Sequence, residues 1–384
     1  MKLPTKIVFP GKRRILTLSV GLLLAAAATI WLMVGHVQAS VPANKPDNDA
    51  CLSCHGKPNM LLKVGDDTMF LTIDASKFHD SIHGQNQLNC VDCHVDMTSF
   101  PHPSYPKTSR REFQFALYQT TSQGCANCHK EQTNQVKQGV HQQTLDVGNY
   151  NAAMCADCHN PHYVEPAADL SRQEIPDVCA RCHNDIATEY KASVHGAALI
   201  GQGNPDVPNC ISCHSNHDIV DPRTAEFRNN IPLLCAKCHT NASIMDKYGI
   251  STNVLNTYVA DFHGTTVTLF EQTSPNTPTN KPVCTDCHGV HNISNVNDPA
   301  TGIAIKQNLL TKCQRCHPNV STASFTDAWM SHYVASPDKF SLVYYVNLFY
   351  KFLIPAVIGG MLLFVITDFI RRTIEARKGH KKNG

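Results

Sequence analysis

The stretch CISCHSNHDIV, residues 210–220, sets two cysteines two residues apart, a histidine (His214) directly behind the second and another (His217) three residues further on. A CxxC pair alone is compatible with half of a zinc site, a redox dithiol or the attachment point of a c-type haem. Only the haem, whose porphyrin takes both thiols as thioethers and whose iron takes the histidine, requires histidine at that one place. The pattern recurs as CLSCH, CVDCH, CANCH, CADCH, CARCH, CISCH, CAKCH, CTDCH and CQRCH, nine motifs that use all 18 cysteines of the 384-residue chain. A zinc protein would pair its CxxC units and a disulfide framework would scatter its spacings. The repetition therefore predicts nine covalently bound c-type haems and a fold organised around them. Their thiols are Cys51 and Cys54, Cys90 and Cys93, Cys125 and Cys128, Cys155 and Cys158, Cys179 and Cys182, Cys210 and Cys213, Cys235 and Cys238, Cys284 and Cys287, and Cys313 and Cys316.

Haem iron takes two axial ligands, and the motif supplies only the proximal one. The expected proximal ligands are His55, His94, His129, His159, His183, His214, His239, His288 and His317. Twelve of the 21 histidines lie outside the motifs; with His36 in an N-terminal apolar segment and His380 in the C-terminal tail, ten remain for nine positions. His83, His141, His195 and His263 each precede a motif, His162, His217 and His291 follow one as CHxxH, His102 follows at a longer spacing, and His332 comes after the last. These nine are the expected distal ligands, with His79 spare beside His83. A lone histidine of this kind reads as a solvated loop residue; the match of nine to nine is what points to bis-histidine ligation. Methionine is the usual competitor, but Met60, Met69, Met97, Met154, Met245 and Met330 follow no matching order. Which distal histidine serves which iron stays open.

The ligands repeat as a unit: histidine, CxxCH, histidine, CxxCH. Four such units lie near residues 83–129, 141–183, 195–239 and 263–317, preceded by one motif at 51–55 and closed by His332. Over roughly residues 45–335 the chain resembles the multihaem c-type cytochromes of the class III kind. That resemblance implies low-potential bis-histidine haems packed in a row and electron transfer along it. Hydrophobic residues are 42% of the chain, a little below an ordinary globular protein, and the linkers are rich in Asn, Pro, Gly, Thr and Ser, as in SPNTPTNKP. The expected fold is mostly α and irregular, a small multihaem domain organised by packed haems with little or no β-sheet, plus a C-terminal transmembrane helix.

Residues 1–39 carry Lys12, Arg13 and Arg14, an apolar run over 15–34, and Val37 and Ala39 before Ser40, the parts of a signal peptide or an N-terminal anchor. Export agrees with haem attachment, which in bacteria takes place outside the cytoplasm. Residues 40–340 form the expected periplasmic nonahaem domain, 341–370 the transmembrane helix and 371–384 a basic cytoplasmic tail. Residues 352–370 are apolar except for Thr367 and Asp368, with tyrosines before and six basic residues after, which by the positive-inside rule orients the haem domain to the periplasm of a bacterial inner membrane. The span holds no histidine, so it offers no site for a b-type haem within the bilayer.

Residues 40–340 contain 21 Lys plus Arg against 29 Asp plus Glu, a difference of −8, and haem propionates would deepen it; nucleic acid is not an expected partner. Two functions compete. The first is an electron conduit that takes electrons from quinol, through a b-type cytochrome or other quinol-oxidising subunit, and passes them to periplasmic carriers or reductases. The second is a terminal reductase of nitrite, hydroxylamine or a sulfur oxyanion, which needs an open coordination position. Nine motif histidines and nine candidate caps argue for the conduit and against a stand-alone enzyme, with no catalytic residue to name. The arrangement resembles the haem-rich modules paired with, or fused to, di-haem b-type cytochromes in inner-membrane quinol dehydrogenases of metal-reducing and sulfate-reducing bacteria. It departs from the small tetrahaem quinol dehydrogenases, which have fewer haems and an N-terminal anchor. The motif at Cys313 and Cys316 is the expected membrane-proximal end, and if the N-terminal segment is cleaved that at Cys51 and Cys54 is free to lie at the far end.

Overall fold

The computed structural model describes residues 46–382 apart from 107, 166–170, 325–331, 333 and 339. The expected signal peptide or N-terminal anchor at 1–39 lies outside the described residues. Among the described residues helix accounts for 56%, and the sheet is a single hairpin of β1 (Leu61–Val64) and β2 (Asp67–Phe70), antiparallel, with Leu61 opposite Phe70 and Val64 opposite Asp67. The hairpin belongs to the first motif: Ile73 N–H donates to the His55 carbonyl at 2.7 Å, and His55 Nδ1 lies 3.0 Å from the Leu71 carbonyl.

Counted along the chain, the motifs alternate between two local structures. The second, fourth, sixth and eighth form very short helices, Cys90–Cys93, Cys155–Cys158, Cys210–His214 and Cys284–His288. Helices this short cannot support themselves by internal hydrogen bonds. In each, the backbone N–H just before the first cysteine donates to the side chain three residues on: Asn89 to Asp92, Met154 to Asp157 and Val283 to Asp286, all at 2.7 Å, and Asn209 to Ser212 at 3.1 Å. This is one half of a capping box. The third, fifth, seventh and ninth motifs instead start at or near the ends of helices Arg110–Ala126, Ile175–Ala180, Ala225–His239 and Lys306–Cys313. Three of these four carry a basic residue at the same motif position, Arg181, Lys237 and Arg315, which suits a C-terminal turn. Two of the helices are longer than the expected short segments.

The leading histidine of every unit is the second residue of a helix that starts one residue after another has ended. The pairs are Ala75–Asp80 with Ile82–Gln85, Lys130–Gln138 with Val140–Asp146, Asn184–Ala192 with Val194–Gln202, and Val254–Ala260 with Phe262–Thr273. The junction residues, Ser81, Gly139, Ser193 and Asp261, are extended and turn the chain sharply. A Cβ at Gly196 would stand 1.9 Å from the Tyr190 carbonyl oxygen, and one at Gly264 2.0 Å from that of Tyr258. At these two corners the backbones of successive helices touch, and only glycine permits it.

The packed apolar interior is small. Leu145, Leu199 and Val267 on the second helices of three of these pairs are among the few fully buried side chains, with Val64 and Val283. The C-terminal helix, Ser341–Lys382, spans 42 residues, about 63 Å at about 1.5 Å per residue. Within Ser341–Glu375 an 18-residue stretch has a mean hydropathy of 2.2 and holds no buried residue, so the helix is long and apolar enough to cross a membrane of about 30 Å hydrocarbon thickness. The helix continues through the basic tail. Asp368 holds Arg371 at 3.0 Å and Arg372 at 2.7 Å.

Candidate haem-binding sites

Every motif histidine faces one other histidine ring. The pairs are His55 with His102, His94 with His162, His129 with His83, His159 with His217, His183 with His141, His214 with His291, His239 with His195, His288 with His332, and His317 with His263, all with ring centres 6.1–6.3 Å apart. With about 2 Å for each metal–imidazole bond and about 1 Å from ring nitrogen to ring centre, two imidazoles on opposite sides of one metal stand about 6 Å apart. The spacing is too wide for stacked rings and suits rings with an iron between them. His79 takes no part; it is exposed, 3.3 Å from Asp80. Met154 and Met245 are buried in the small core.

The partner of each motif histidine is remote in sequence, and the pairing follows one rule. A unit's leading histidine faces the second motif of its own unit: His83 to His129, His141 to His183, His195 to His239, His263 to His317. A unit's inner histidine faces the first motif of the preceding unit: His162 to His94, His217 to His159, His291 to His214. His102 and His332 close the two ends of the series. The CHxxH histidines thus avoid the motif three residues away. Backbone hydrogen bonds fix this stagger: Ile82 N–H to the Val164 carbonyl at 3.0 Å, Val140 to Ile219 at 2.8 Å and Val194 to Ile293 at 2.9 Å. Each joins the corner of one unit to the segment just after the inner histidine of the next.

At three of the distal rings the other nitrogen is held as a metal-ligating imidazole requires. His83 Nδ1 lies 3.0 Å from the Pro161 carbonyl, His102 Nδ1 2.9 Å from that of Ser99, and His332 Nδ1 3.2 Å from the Thr257 hydroxyl. A carbonyl accepts only from N–H, so Nδ1 carries the proton and Nε2 keeps its lone pair for a metal. Burial pushes His162, His195 and His288 down to about 4, and lowers His94, His141, His159, His214, His239, His291 and His332 as well. These rings are neutral at pH 7, the ligating form. The donor set, two thiols and two opposed imidazoles at each motif, fits a c-type haem.

The motifs meet in sequence order. Cys51 and Cys90 lie close enough to perturb one another, as do Cys93 and Cys125, Cys125 and Cys155, Cys158 and Cys179, Cys179 and Cys210, Cys213 and Cys235, Cys235 and Cys284, and Cys287 and Cys313. Burial, the largest influence, raises Cys90, Cys125 and Cys287 to about 11. Polar contacts hold the neighbours together. Cys90 N–H donates to Asn48 at 2.8 Å. Arg111 grips both oxygens of Asp157 at 3.0 and 3.1 Å and the Tyr150 and Ala152 carbonyls at 2.8 and 2.6 Å. Arg181 reaches the Asp157 carbonyl at 2.7 Å, and Arg228 holds Asp286 at 2.8 Å. A Cβ on Gly124 would come 2.7 Å from Cys93 Cα, so the second and third motifs touch through backbone.

The reading of the sequence missed these supports, although one signal was present. The residue before the second cysteine is Asp or Ser in the even-numbered motifs and Asn, Arg or Lys in the later odd-numbered ones. That alternation separates capped short helices from helix ends.

Comparison with known proteins agrees with this local pattern. A doubled CXXCH motif family matches residues 148–188 and 204–244, which contain the fourth to seventh motifs. The cytochrome c552 family matches residues 74–152, around the second and third. The chain is 24% identical over 146 residues to the multiheme cytochrome MtrA of Shewanella baltica (strain OS185), a stretch that covers 38% of this chain and 34% of that protein. The matched region is thus about a third of the length of that curated relative. No solved structure matches the chain.

Proposed function

We propose that this chain, a multihaem c-type cytochrome whose covalently bound haems transfer electrons, is a membrane-anchored conduit that draws electrons from the quinol pool through a b-type cytochrome partner and hands them to periplasmic carriers or reductases. When bound, each haem supplies one-electron chemistry at its iron. The protein's own residues attach, cap and space nine such groups: eighteen cysteines bind, the motif histidines ligate on one side, and His83, His102, His141, His162, His195, His217, His263, His291 and His332 on the other.

The observation that carries the reading is the stagger itself. Every motif histidine has an opposed ring at 6.1–6.3 Å, so an iron held between them would keep no free face for substrate, and the cysteines of consecutive motifs lie close enough to perturb one another from the first to the ninth. A row of capped irons relays charge and offers no position for chemistry. The apolar helix after the ninth motif supports an anchor in the inner membrane, with the haem domain periplasmic by the positive charge that follows the span. It makes the ninth motif the membrane-proximal end.

A terminal reductase is the second reading, and the match to cytochrome c552 over residues 74–152 is the observation that favours it. Gentle solubilisation, identification of co-purifying subunits and low-temperature electron paramagnetic resonance separate the two. The conduit predicts a multi-span b-type cytochrome and low-spin signals alone. A high-spin signal altered by nitrite or cyanide would establish the reductase instead.

A further inference from the structure

The four corners that carry the leading histidines differ in one respect. Ser81, Gly139 and Ser193 are uncharged; the fourth junction residue is Asp261. Its carboxylate caps the helix as the serines do, accepting from the His263 backbone N–H at 2.8 Å. It also brings a charge: an oxygen of the same group stands 3.0 Å from His263 Nδ1. The approach is oblique, and Nδ1 forms no aligned hydrogen bond, so this is proximity of charge to a buried ring nitrogen. The Nδ1 atoms of His83, His102 and His332 face neutral oxygens.

Resting on the reading of His263 as the ligand opposite His317, 6.3 Å away, we infer that Asp261 lowers the reduction potential of the iron at the ninth motif. A negative charge behind an axial imidazole makes the ring a stronger donor and favours the more positive ferric state over the ferrous one. The ferric–ferrous equilibrium of that one centre therefore moves toward ferric. The ninth motif is the one nearest the apolar helix in sequence, with only residues 318–340 between them. Lowering that one centre makes electron transfer from it to its neighbours more favourable than it would be without the charge, so Asp261 is a positioning residue that biases flow away from the membrane end.

The test is a spectroelectrochemical titration of the full-length holoprotein with Asp261→Ser, Asp261→Glu and His263→Ala. Serine is the residue two sister corners use, so it keeps the cap and removes the charge; glutamate keeps the charge. The expected result for Asp261→Ser is that one of the one-electron steps moves to higher potential by about tenfold in its equilibrium constant, about 59 mV for a one-electron couple, while the rest stay in place. Asp261→Glu should hold that step near its original position. The inference is overturned if Asp261→Ser moves nothing, if it moves all steps together, or if Asp261→Glu shifts the step equally, which would assign the residue to helix capping alone. His263→Ala separates the two levels of failure. One high-spin haem in that variant, with no shift in Asp261→Ser, removes only the effect of charge; low-spin haems throughout remove the ligand assignment beneath it.

Discussion

Replacing His162 with alanine tests the stagger directly. In sequence His162 stands three residues behind His159, and a local CHxxH reading would make it the cap of that neighbouring iron. In the structure its ring centre lies 6.1 Å from His94, 68 residues away, while His159 faces His217 at 6.2 Å. His162→Ala should therefore open one iron, the one at the second motif. With one pair of nine broken, about one ninth of the low-spin intensity should convert to a high-spin signal in electron paramagnetic resonance. Burial holds His162 neutral, at about 4, so the wild-type cap stays in place across the neutral range and the change is not imitated by pH. Two backgrounds identify the affected centre. In a protein whose second motif lacks both thiols, Cys90→Ala with Cys93→Ala, the His162 change should add no further high-spin signal. In one lacking the thiols of the fourth motif, Cys155→Ala with Cys158→Ala, it should add the full amount. The opposite pattern, or no high-spin signal in any background, would refute the staggered ligation and the conduit built on it.

Three further outcomes follow from the supports between motifs and from the span. Arg111→Ala removes a two-pronged contact with a half-buried Asp157 and leaves two carbonyls without their donor, which should cost about 1–3 kcal/mol in denaturant unfolding followed by haem absorbance. Gly196→Ala places a Cβ 1.9 Å from the Tyr190 carbonyl oxygen and should cost about 2–3 kcal/mol or prevent holoprotein from accumulating; Gly201→Ala in the same helix meets nothing within 4 Å and should be neutral or slightly stabilising. Leu363→Arg puts a charge in the middle of the apolar helix, at about 2.5–3.5 kcal/mol on insertion scales, and should move the chain out of the membrane fraction on differential centrifugation. Retention there of a chain whose mature N-terminus is Ser40 would argue against the helix as anchor.

The sequence by itself determined the chemistry of the sites, because a c-type haem demands cysteines and histidine at fixed local spacing and the chain repeats that demand nine times. It determined the near absence of sheet and the long apolar helix as well: linkers rich in Asn, Pro, Gly, Thr and Ser disfavour strands, which leaves only the hairpin at 61–70 among the described residues, and a run of apolar residues over 352–370 is visible without its surroundings. It also contained the alternation at the residue before the second cysteine, whose meaning emerged only once Asp92, Asp157, Ser212 and Asp286 were seen to close their short helices. The tertiary structure alone decided which histidine faces which. A distal ligand is bound by position in space, and the sharp corners at Ser81, Gly139, Ser193 and Asp261, together with the backbone hydrogen bonds to Val164, Ile219 and Ile293, carry each unit back onto its predecessor. Nothing in the spacing of His162 or His217 encodes that return, since the contacts that produce it join residues about 80 or more positions apart.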